Sequence, residues 1–275
     1  MNEDCQVYTS LFNIGRDKID GRSIFQYQDW LRKTLDIFPD MLIFHDGSCA
    51  EMEIPNQNLK FLDKANLRAF SFQKQLVDTL KIFNPSASKD ITFRLPEYSL
   101  VQFSKFELGI MASEFKSAQS VLWVDAGISR FLDSHLKSKT QTYLKFRQQT
   151  NKLNKFPINM VLELDILNNL SLKELRLSKS DVGSCRRVIS GTSFWIKSNY
   201  LLELNELIFD EIANWLNLKI WDNEQVLLRK ILPKLSRLKF VPQFFEETGG
   251  VAREMLNNKI SKPNQTDRLI TWALR

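Results

Sequence analysis

The chain has 275 residues, of which 43% are hydrophobic, and its 9 Gly and 8 Pro are few for that length. This composition excludes a disordered, collagen-like or linker-rich chain and supports a single folded domain over residues 1–275. The 38 Lys and Arg exceed the 32 Asp and Glu, giving a net charge of +6. Such an excess fits a polyanionic partner, such as nucleic acid, anionic lipid or a sugar phosphate, without selecting one of them.

The three cysteines indicate a reducing compartment. Cys5, Cys49 and Cys185 are odd in number and lack the paired spacing of a disulfide framework or a zinc site. The sequence opens without the charged-then-apolar pattern of a secretion signal, and no apolar run approaches the roughly 18 residues of a membrane span. We therefore expect a cytoplasmic protein, and a peripheral position on the inner face of the membrane stays open.

Short β-rich runs alternate with helical patterns along the chain. The runs are Val7–Phe12, Met41–Phe44, Ser120–Val124, Met160–Leu164 and Val188–Ile196. Between the first two runs, apolar residues at helical spacing from Ile24 to Leu35 complete a strand–helix–strand unit. Because strands that alternate with helices form mostly parallel sheets, the predicted fold class is α/β with a mixed, mostly parallel central sheet flanked by helices.

A helix is predicted just after Pro96, where Ser99 and Gln102 have the spacing of a capping box. At about 100° per residue, Glu107 lies on the apolar side of this helix and Lys105 on the opposite side. A carboxylate on the apolar side needs a partner, so we expect Glu107 to pair with a neighbouring basic residue at the edge of the core.

The densest positive segment runs from Arg130 to Lys155, where seven basic residues face one acidic residue, Asp133. Tyr143 and Phe146 interleave with them, which suits stacking on single-stranded nucleic acid. A solvated helical face and attraction to an anionic membrane surface are the other interpretations. We predict that the segment serves an anionic membrane or acceptor, and we expect no nucleic acid.

The continuous apolar run that ends at Val124 is typical of a central strand, and Asp125 follows it directly. In open α/β sheets, ligands bind beyond the carboxyl ends of the strands. A carboxylate at that position could hold a Mg²⁺ or Mn²⁺ ion that bridges a diphosphate. An ordinary Asp-x-Gly turn, formed by Asp125 and Gly127, is the alternative.

Missing motifs narrow the function classes. The chain has only two histidines, and it lacks the Gly-x-Ser-x-Gly elbow and the glycine-rich loops that bind dinucleotides or ATP phosphates. Hydrolases with that elbow, dehydrogenases and P-loop kinases are therefore excluded, whereas glycosyl transfer by carboxylates needs no histidine.

Four segments carry a family resemblance, and they are residues 8–16, 104–108, 123–131 and 222–226. In order and spacing they resemble the HtrL/YibB-like (WlaTC-type) family of bacterial surface-polysaccharide proteins, and more distantly the glycogenin-like retaining galactosyltransferases. The resemblance implies a GT-A-like fold. It also implies a glycosyltransferase that moves a sugar from a nucleotide-sugar donor, with a UDP-sugar favoured, to a lipid-linked or polysaccharide acceptor. The product would be a surface glycan such as lipopolysaccharide, O-antigen or capsule.

The resemblance also assigns roles to individual residues. Donor binding falls to Thr9, Arg16, Lys105, Asp125, Gly127 and Arg130, and contact with the sugar or acceptor falls to Gly191, Thr192 and Gln225. Catalysis falls to Asp125 and Asp222. The strand motif of the galactosyltransferases is Asp-x-Asp, which binds Mn²⁺ or Mg²⁺, but this chain has Gly127 in place of the second Asp. Either Glu246 or Glu247 therefore completes a metal site with Asp125, or the metal is absent.

Some of these assignments have structural alternatives. Gly191 could mark a bulge in a strand, and Asp222 with Gln225 has the spacing of a capping box that opens a helix. For the whole protein, the alternatives to a glycosyltransferase are a basic nucleic-acid-binding protein and a non-catalytic, transferase-like assembly partner. The missing second Asp of the strand motif keeps the last alternative open.

Overall fold

The computed structural model describes residues 5–132, 139–155, 160–164, 181–185, 189–237, 242–245 and 250–256. The strands within these ranges are β1 (Gln6–Leu11), β2 (Leu42–His45), β3 (Leu59–Phe61), β4 (Ser120–Val124), β5 (Met160–Leu164), β6 (Ile189–Lys197) and β7 (Pro242–Phe245). The helices are α1 (Asp17–Asp20), α2 (Ile24–Leu35), α3 (Gln73–Ile82), α4 (Ile91–Arg94), α5 (Pro96–Phe103), α6 (Lys105–Lys116), α7 (Lys139–Lys155), α8 (Leu201–Asn217), α9 (Glu224–Arg237) and α10 (Gly250–Leu256). The five predicted strands are confirmed to within one residue at each end.

The strands form one sheet in the order β3-β2-β1-β4-β6-β5-β7. Pairing is parallel between β1 and β2, β1 and β4, β2 and β3, and β5 and β7. Among the described strands, β6 alone runs antiparallel to its two neighbours, β4 and β5. The predicted fold class is therefore confirmed as an α/β fold with a mixed, mostly parallel sheet flanked by helices.

Alternation along the strands divides the buried apolar side chains between two cores, because successive side chains of a strand point to opposite faces. Tyr8 and Trp123 belong to the core that includes residues of α5, α6, α8 and α9. Their neighbours Val7 and Leu122 belong to the core that includes residues of α2, α7 and α10. Helices thus cover both faces of the sheet, and a ligand can reach it at the carboxyl ends of its parallel strands.

The helix predicted just after Pro96 is confirmed in its start, but its predicted capping box and its continuity are wrong. α5 begins at Pro96, whose fixed φ suits the first helical position, and Ser99 donates its hydroxyl to the carbonyl of Thr92 (3.1 Å) instead of capping. The helix is then interrupted at Ser104, and a second helix, α6, begins at Lys105. This break resets the helical phase, so Lys105 is buried, contrary to its predicted position opposite the apolar side.

Glu107 on α6 meets Arg68 in a different way from the expected ion pair. The backbone N–H of Arg68 donates to both carboxylate oxygens of Glu107, at 3.1 and 3.0 Å. The guanidinium of Arg68 pairs instead with Glu206, at 2.6 Å. Burial raises the pKa of Glu107, and the contacts with Arg68 oppose that rise. Glu107 therefore fastens the chain around Arg68 to α6 and belongs to the architecture.

The basic segment forms α7, and its two aromatic residues pack towards the protein. Phe146 is fully buried in edge contact with Phe38, and Tyr143 stacks on Phe146 and donates its hydroxyl to Asp40. Phe146 is therefore not available to stack on bases, which removes much of the pattern that suited nucleic acid. Lys137 and Asp133 lie outside the described residues. In the part of the chain that the structure describes, no helix is both long and apolar enough to cross a membrane.

The topology brings segments that are distant in sequence together at one end of the sheet, beyond the carboxyl ends of β1 and β4. Because β1 and β4 are parallel neighbours, the segment after β1 and Asp125 after β4 emerge side by side. The antiparallel β6 begins at the same end, where the backbone N–H of Asp125 donates to the carbonyl of Thr192 (2.9 Å). Residues 12–16, 125–130 and 190–192 therefore meet at one place.

Candidate active site

A cavity of about 470 Å³ opens at this end of the sheet. Its walls come from the segment after β1, from α1, α2, α4 and α5, and from the residues that follow β4. The predicted site residues in its lining are Arg16, Asp125, Gly127, Arg130, Thr192 and Gln225. The structure thus brings together six residues that the sequence scatters over more than two hundred positions.

A buried lysine joins the elements at the floor of the cavity. Lys105 is 1% exposed, and its Nζ donates to the carbonyl of Gly191 (2.8 Å) and to Oε1 of Glu224 (3.2 Å). The same Nζ lies 3.5 Å from Oδ1 of Asp125. Lys105 opens α6, Asp125 follows β4 and Glu224 opens α9, so one ammonium group ties three elements together. These three residues are called the floor cluster below.

The two carboxylates of the floor cluster face the cavity, since both Asp125 and Glu224 line it. The side chain of Asp125 is 32% exposed and that of Glu224 is 4% exposed. The indole N–H of Trp123 donates to Oδ1 of Asp125 (3.1 Å) and to the carbonyl of Gly191 (3.2 Å). The orientation of Asp125 is therefore fixed from within the protein before any ligand binds.

Burial and charge act against each other in the floor cluster. Burial by itself lowers the pKa of Lys105, but the carboxylates of Asp125 and Glu224 outweigh burial and leave that pKa above its ordinary value. Burial raises the pKa of Asp125, and the ammonium of Lys105 opposes the rise. Lys105 is therefore a permanent cation at neutral pH, and two carboxyl groups share it.

Gly191 leaves room for the floor cluster. A Cβ atom at this position would lie 2.2 Å from Oε1 of Glu224 and 3.0 Å from Nζ of Lys105. The register of β6 against β5 also shifts here, since Leu162 pairs with Phe194 and the next residue pairs with Ser190. This irregularity in the strand agrees with the structural alternative for Gly191, and contact of Gly191 with a sugar stays a prediction.

Arg16 forms part of the wall opposite the floor, among aromatic rings. Its Nε donates to Oδ2 of Asp20 (2.9 Å), and its guanidinium carbon lies 4.8 Å from the ring centre of Tyr98 and 5.7 Å from that of Tyr27. Both tyrosines line the cavity. A planar cation between two aromatic rings offers both a charge for a phosphate and flat surfaces for a base.

Arg130 also lines the cavity, and its position depends on Gly127. Its guanidinium carbon lies 4.2 Å from the ring centre of Trp30, and its Nε donates to the carbonyl of Gly127 (3.0 Å). A Cβ atom on residue 127 would lie 3.0 Å from that Nε and 3.1 Å from Trp30. Gly127, which stands where the family motif has its second Asp, therefore makes space for the stacked Arg130.

Asp222 lies outside the cavity lining and holds a turn instead. Its Oδ2 accepts the backbone N–H groups of Gly183 (2.6 Å) and Cys185 (3.3 Å), and its Oδ1 accepts that of Asn223 (2.7 Å). Gly183 and Cys185 both have positive φ, of 89° and 50°. Burial raises the pKa of Asp222, and the backbone N–H groups oppose the rise. The described contacts of Asp222 are therefore with the backbone of residues 183–185, with the side chain of Cys185 and with its own loop.

The predicted capping box at the start of α9 is wrong in its residues. The side chain of Asn223, one position after Asp222, accepts the backbone N–H of Val226 (3.0 Å) and so caps the helix. Glu224 is then the first residue of α9, where the helix dipole favours a negative charge. The functional residue that sequence reasoning missed is thus Glu224, which lies inside the segment that the resemblance singled out.

Thr9, predicted to bind the donor, is fully buried in β1 and does not appear among the residues that line the cavity. Its hydroxyl makes no hydrogen bond with the described residues. The assignment of Thr9 to donor binding therefore has no contact in its favour, and it stays a prediction.

The described residues do not fit the divalent cation that the family resemblance implies. No group of three or more His, Cys, Asp or Glu side chains in the described ranges is arranged to hold a metal ion. Asp125 and Glu224 come together, but the ammonium of Lys105 already lies between them. Glu246 and Glu247, the other predicted ligands, lie outside the described residues.

Comparison with known proteins adds little to this geometry. No protein-family model and no curated protein matches the chain. Among solved structures, it is similar to 4-diphosphocytidyl-2C-methyl-D-erythritol synthase from Anaerococcus prevotii, with 11% identity over 98% of this chain and 94% of that chain and a TM-score of 0.34. A likeness this weak assigns no activity to the chain, so the function has to be argued from the site.

Proposed function

We propose that the chain is a glycosyltransferase that takes a sugar from a nucleoside diphosphate sugar, with a UDP-sugar favoured. The observation that carries this proposal is the composition of the single cavity described above. Arginines and aromatic rings form its walls, and two carboxylates with access to the cavity form its floor. A nucleotide sugar has matching parts, namely an aromatic base, a diphosphate and a polyhydroxylated ring.

The walls suit the nucleotide. Tyr27 and Tyr98 offer aromatic faces to a base, and stacking of a base on an aromatic side chain contributes about 1–3 kcal/mol. Arg16 and Arg130 offer planar guanidinium groups, which bind phosphate oxygens through paired N–H groups. Arg16 is paired with Asp20 in the ligand-free protein, so a diphosphate that binds Arg16 would compete with that carboxylate.

The floor suits the transferred sugar. In glycosyl transfer, the bond between the anomeric carbon and the diphosphate oxygen breaks, and its electron pair leaves with the diphosphate. Positive charge then develops on the sugar ring, close to Asp125 and Glu224, while Arg16 and Arg130 stabilise the negative charge of the leaving group. The acceptor hydroxyl oxygen forms the new bond to the anomeric carbon, and its proton passes to an oxygen of the departing diphosphate. Catalysis of this kind needs fixed charges and correct positioning rather than a strong nucleophile.

In this proposal Glu224 takes the place beside the sugar that the sequence assigned to Asp222. Glu224 lines the cavity and Asp222 does not, which supports the exchange of roles. The catalytic role of Asp222 stays a prediction that the variants discussed below can decide.

The acceptor and the biological role rest on the sequence resemblance. Similarity to the HtrL/YibB-like proteins supports a glycan or lipid-linked acceptor and a role in making lipopolysaccharide, O-antigen or capsule. The basic helix α7 is compatible with attraction to an anionic inner membrane face or to a negatively charged acceptor. A cytoplasmic enzyme bound at that face would meet lipid-linked acceptors directly.

A panel of nucleoside diphosphate sugars tests the proposal, with binding measured by calorimetry and slow donor hydrolysis followed over time. We expect one class of donor to bind, and Asp125→Ala to weaken its binding by about tenfold or more, a change of about 1.4 kcal/mol. Asp78→Ala is the matched control, because Asp78 is an exposed carboxylate on α3 that pairs with Lys81. The proposal is wrong if no donor binds, or if Asp125→Ala binds every donor as well as the parent protein.

Binding without turnover would point to another conclusion. A protein that binds a donor tightly but neither hydrolyses nor transfers it would be the non-catalytic assembly partner. Gly127, in place of the second Asp, is the observation that makes this outcome worth measuring.

A further inference from the structure

The family resemblance implies a divalent cation under the diphosphate, yet a built-in cation already pairs with the two carboxylates that line the cavity: it is the ammonium of Lys105, which is buried behind them and does not itself line the cavity. We infer that the ammonium of Lys105 replaces the divalent cation at the carboxyl end of β4, so that the nucleotide donor binds without metal. The inference rests on the proposed function and names how its site supplies positive charge. Because Gly127 replaces the second Asp of the motif, either another carboxylate completes the metal site or the metal is absent, and the inference selects the second possibility.

The surroundings of Lys105 match an ammonium group and do not match a metal ion. An ammonium has three N–H donors, and three oxygens surround Nζ, from Gly191, Glu224 and Asp125, at 2.8, 3.2 and 3.5 Å. Mg²⁺ requires near-octahedral coordination by oxygens at about 2.1 Å. The spacing of these oxygens around Nζ is therefore that of hydrogen bonds and ion pairs.

The charge balance of the floor cluster points the same way. Two carboxylates and one ammonium leave a net charge of −1 in a region where Lys105 and Glu224 are almost entirely buried. Burying a second carboxylate without a cation is unfavourable, and Lys105 supplies that cation as part of the chain. A dication on Asp125 would lie close to a fixed ammonium of the same sign, and like charges in a buried site repel strongly.

Asp125 then acts as a hydrogen-bond acceptor and not as a metal ligand. Its Oδ1 is occupied by the indole N–H of Trp123 and by the ion pair with Lys105. Its Oδ2 makes no hydrogen bond or ion pair with the described residues, although the side chain is partly exposed to the cavity. An oxygen of this kind is suited to a hydroxyl group of the donor, on the ribose or on the sugar.

Fixed cations are also available for the diphosphate itself. Five basic side chains line the cavity, namely Arg16, Arg22, Lys89, Arg94 and Arg130, together with five acidic ones, namely Asp17, Asp20, Asp90, Asp125 and Glu224. Guanidinium groups bind phosphate oxygens in pairs and keep their charge at any physiological pH. Asp20 holds Arg16 and Arg22 in the ligand-free protein, so a diphosphate that draws such cations away from their carboxylates would be neutralised by the chain, which is the second task that a metal performs in such a transferase.

The decisive experiment compares binding of the donor, and of UDP alone, to the unmodified protein in excess EDTA and in excess Mn²⁺. We expect dissociation constants that agree within about threefold. An affinity that Mn²⁺ improves by more than that overturns the inference while the proposed function stands. If neither ligand binds in either buffer, the proposed function fails, and the inference fails with it.

A second measurement has a readout that does not involve the donor. Paramagnetic resonance of Mn²⁺ with the ligand-free protein should give the same weak binding for the parent and for Asp125→Ala. Loss of a tight Mn²⁺ site in Asp125→Ala would overturn the inference. In Lys105→Ala the two carboxylates lose their ammonium, so we expect this variant to gain Mn²⁺ affinity; no gain over the parent would count against the inference. If Lys105→Ala does not fold, the measurements on the parent protein still decide.

Discussion

The floor cluster and Asp222 place the same chemical group in two different surroundings. Asp125 and Glu224 share a charged partner, Lys105, and they line a cavity. Asp222 is as deeply buried as Glu224, but its partners are neutral: the backbone N–H groups of residues 183, 185 and 223 and the side chain of Cys185. Burial raises the pKa of both Asp125 and Asp222, so burial does not separate them. Asp125 and Asp222 differ instead in the charge of their partners and in their access to the cavity.

The comparison indicates which acidic residues are free to take part in chemistry. A carboxylate that satisfies backbone N–H groups fixes the local chain path, and its removal leaves those N–H groups without an acceptor. A carboxylate that shares an ammonium with another carboxylate leaves one negative charge in excess, which can respond to a substrate. The family resemblance, which matches residue types and their order along the chain, assigned the catalytic role to Asp222.

The largest effect is expected for Glu224→Gln. The substitution keeps the size and one acceptor oxygen for Lys105 but removes a negative charge beside the developing charge on the sugar. We expect kcat to fall about 100-fold or more, since electrostatic stabilisation of this type contributes several kcal/mol. Stability should change little, because Lys105 and Asp125 remain as a neutral pair. Turnover of the donor identified by the panel, beside a thermal melt, measures both quantities.

Glu206→Gln is the matched control for Glu224→Gln, because Glu206 is a half-exposed carboxylate on α8 that pairs with Arg68. The control should keep the turnover of the parent protein. Parental turnover in Glu224→Gln, together with a large loss in Asp222→Asn at unchanged melting temperature, would reverse the two roles and contradict the comparison.

The second largest effect is expected for Gly191→Ala, which disturbs the packing around the floor cluster. In Gly191→Ala the new Cβ atom would lie 2.2 Å from Oε1 of Glu224, so the carboxylate has to move. We expect turnover to fall about tenfold or more, because small displacements of a reacting group reduce rates strongly. Gly127→Ala is the control, since its Cβ would lie no closer than 3.0 Å to the end of the Arg130 side chain. An equal or smaller loss in Gly191→Ala than in Gly127→Ala would show that Glu224 does not need its present position.

The interior strands could be predicted from the sequence, and the edge strands could not. β1, β4 and β6 are largely buried because both of their faces are covered by helices, and their sequences are rich in apolar and β-branched residues, most continuously in β4. β3 at one edge has three residues, of which Lys60 and Phe61 are exposed, so it has no apolar pattern to detect. Edge strands of this length are defined by their neighbour in the sheet and not by their own sequence.

The site was predictable where it follows from strand order and unpredictable where it depends on a distant partner. Asp125 could be assigned because ligands bind beyond the carboxyl ends of parallel strands, which is a property of the whole fold class. The burial of Lys105 depends on a break at Ser104, and its pairing with Glu224 spans 119 positions. No local spacing carries such a contact, which explains why Glu224 was missed although its segment was identified.

The third prediction concerns Asp222→Asn, which we expect to lower stability more than activity. Asp222 uses one oxygen for Asn223 and the other for Gly183 and Cys185, and Asn has only one acceptor oxygen in its amide. We expect Asp222→Asn to lower the free energy of unfolding by about 1–3 kcal/mol, the usual loss when buried donors lose an acceptor. Turnover well below the melting temperature should stay within about tenfold of the parent. Denaturant unfolding and donor turnover of the same preparation test both parts.

The smallest expected effect is a pH dependence of stability, which shows whether burial or the backbone N–H groups dominate the pKa of Asp222. Burial raises the pKa of Asp222 above its ordinary value of 3.8, and the backbone N–H groups oppose that rise without cancelling it. The folded state therefore binds the proton more tightly than the unfolded state, so stability falls as the pH rises from the ordinary value through the raised one. Asn does not titrate. The stability advantage of the parent over Asp222→Asn should accordingly shrink as the pH rises through this window, as measured by denaturant unfolding at a series of pH values. An advantage that grows with pH would show that the N–H groups outweigh burial and hold Asp222 as a carboxylate, which would bring its electrostatics closer to those of the floor cluster.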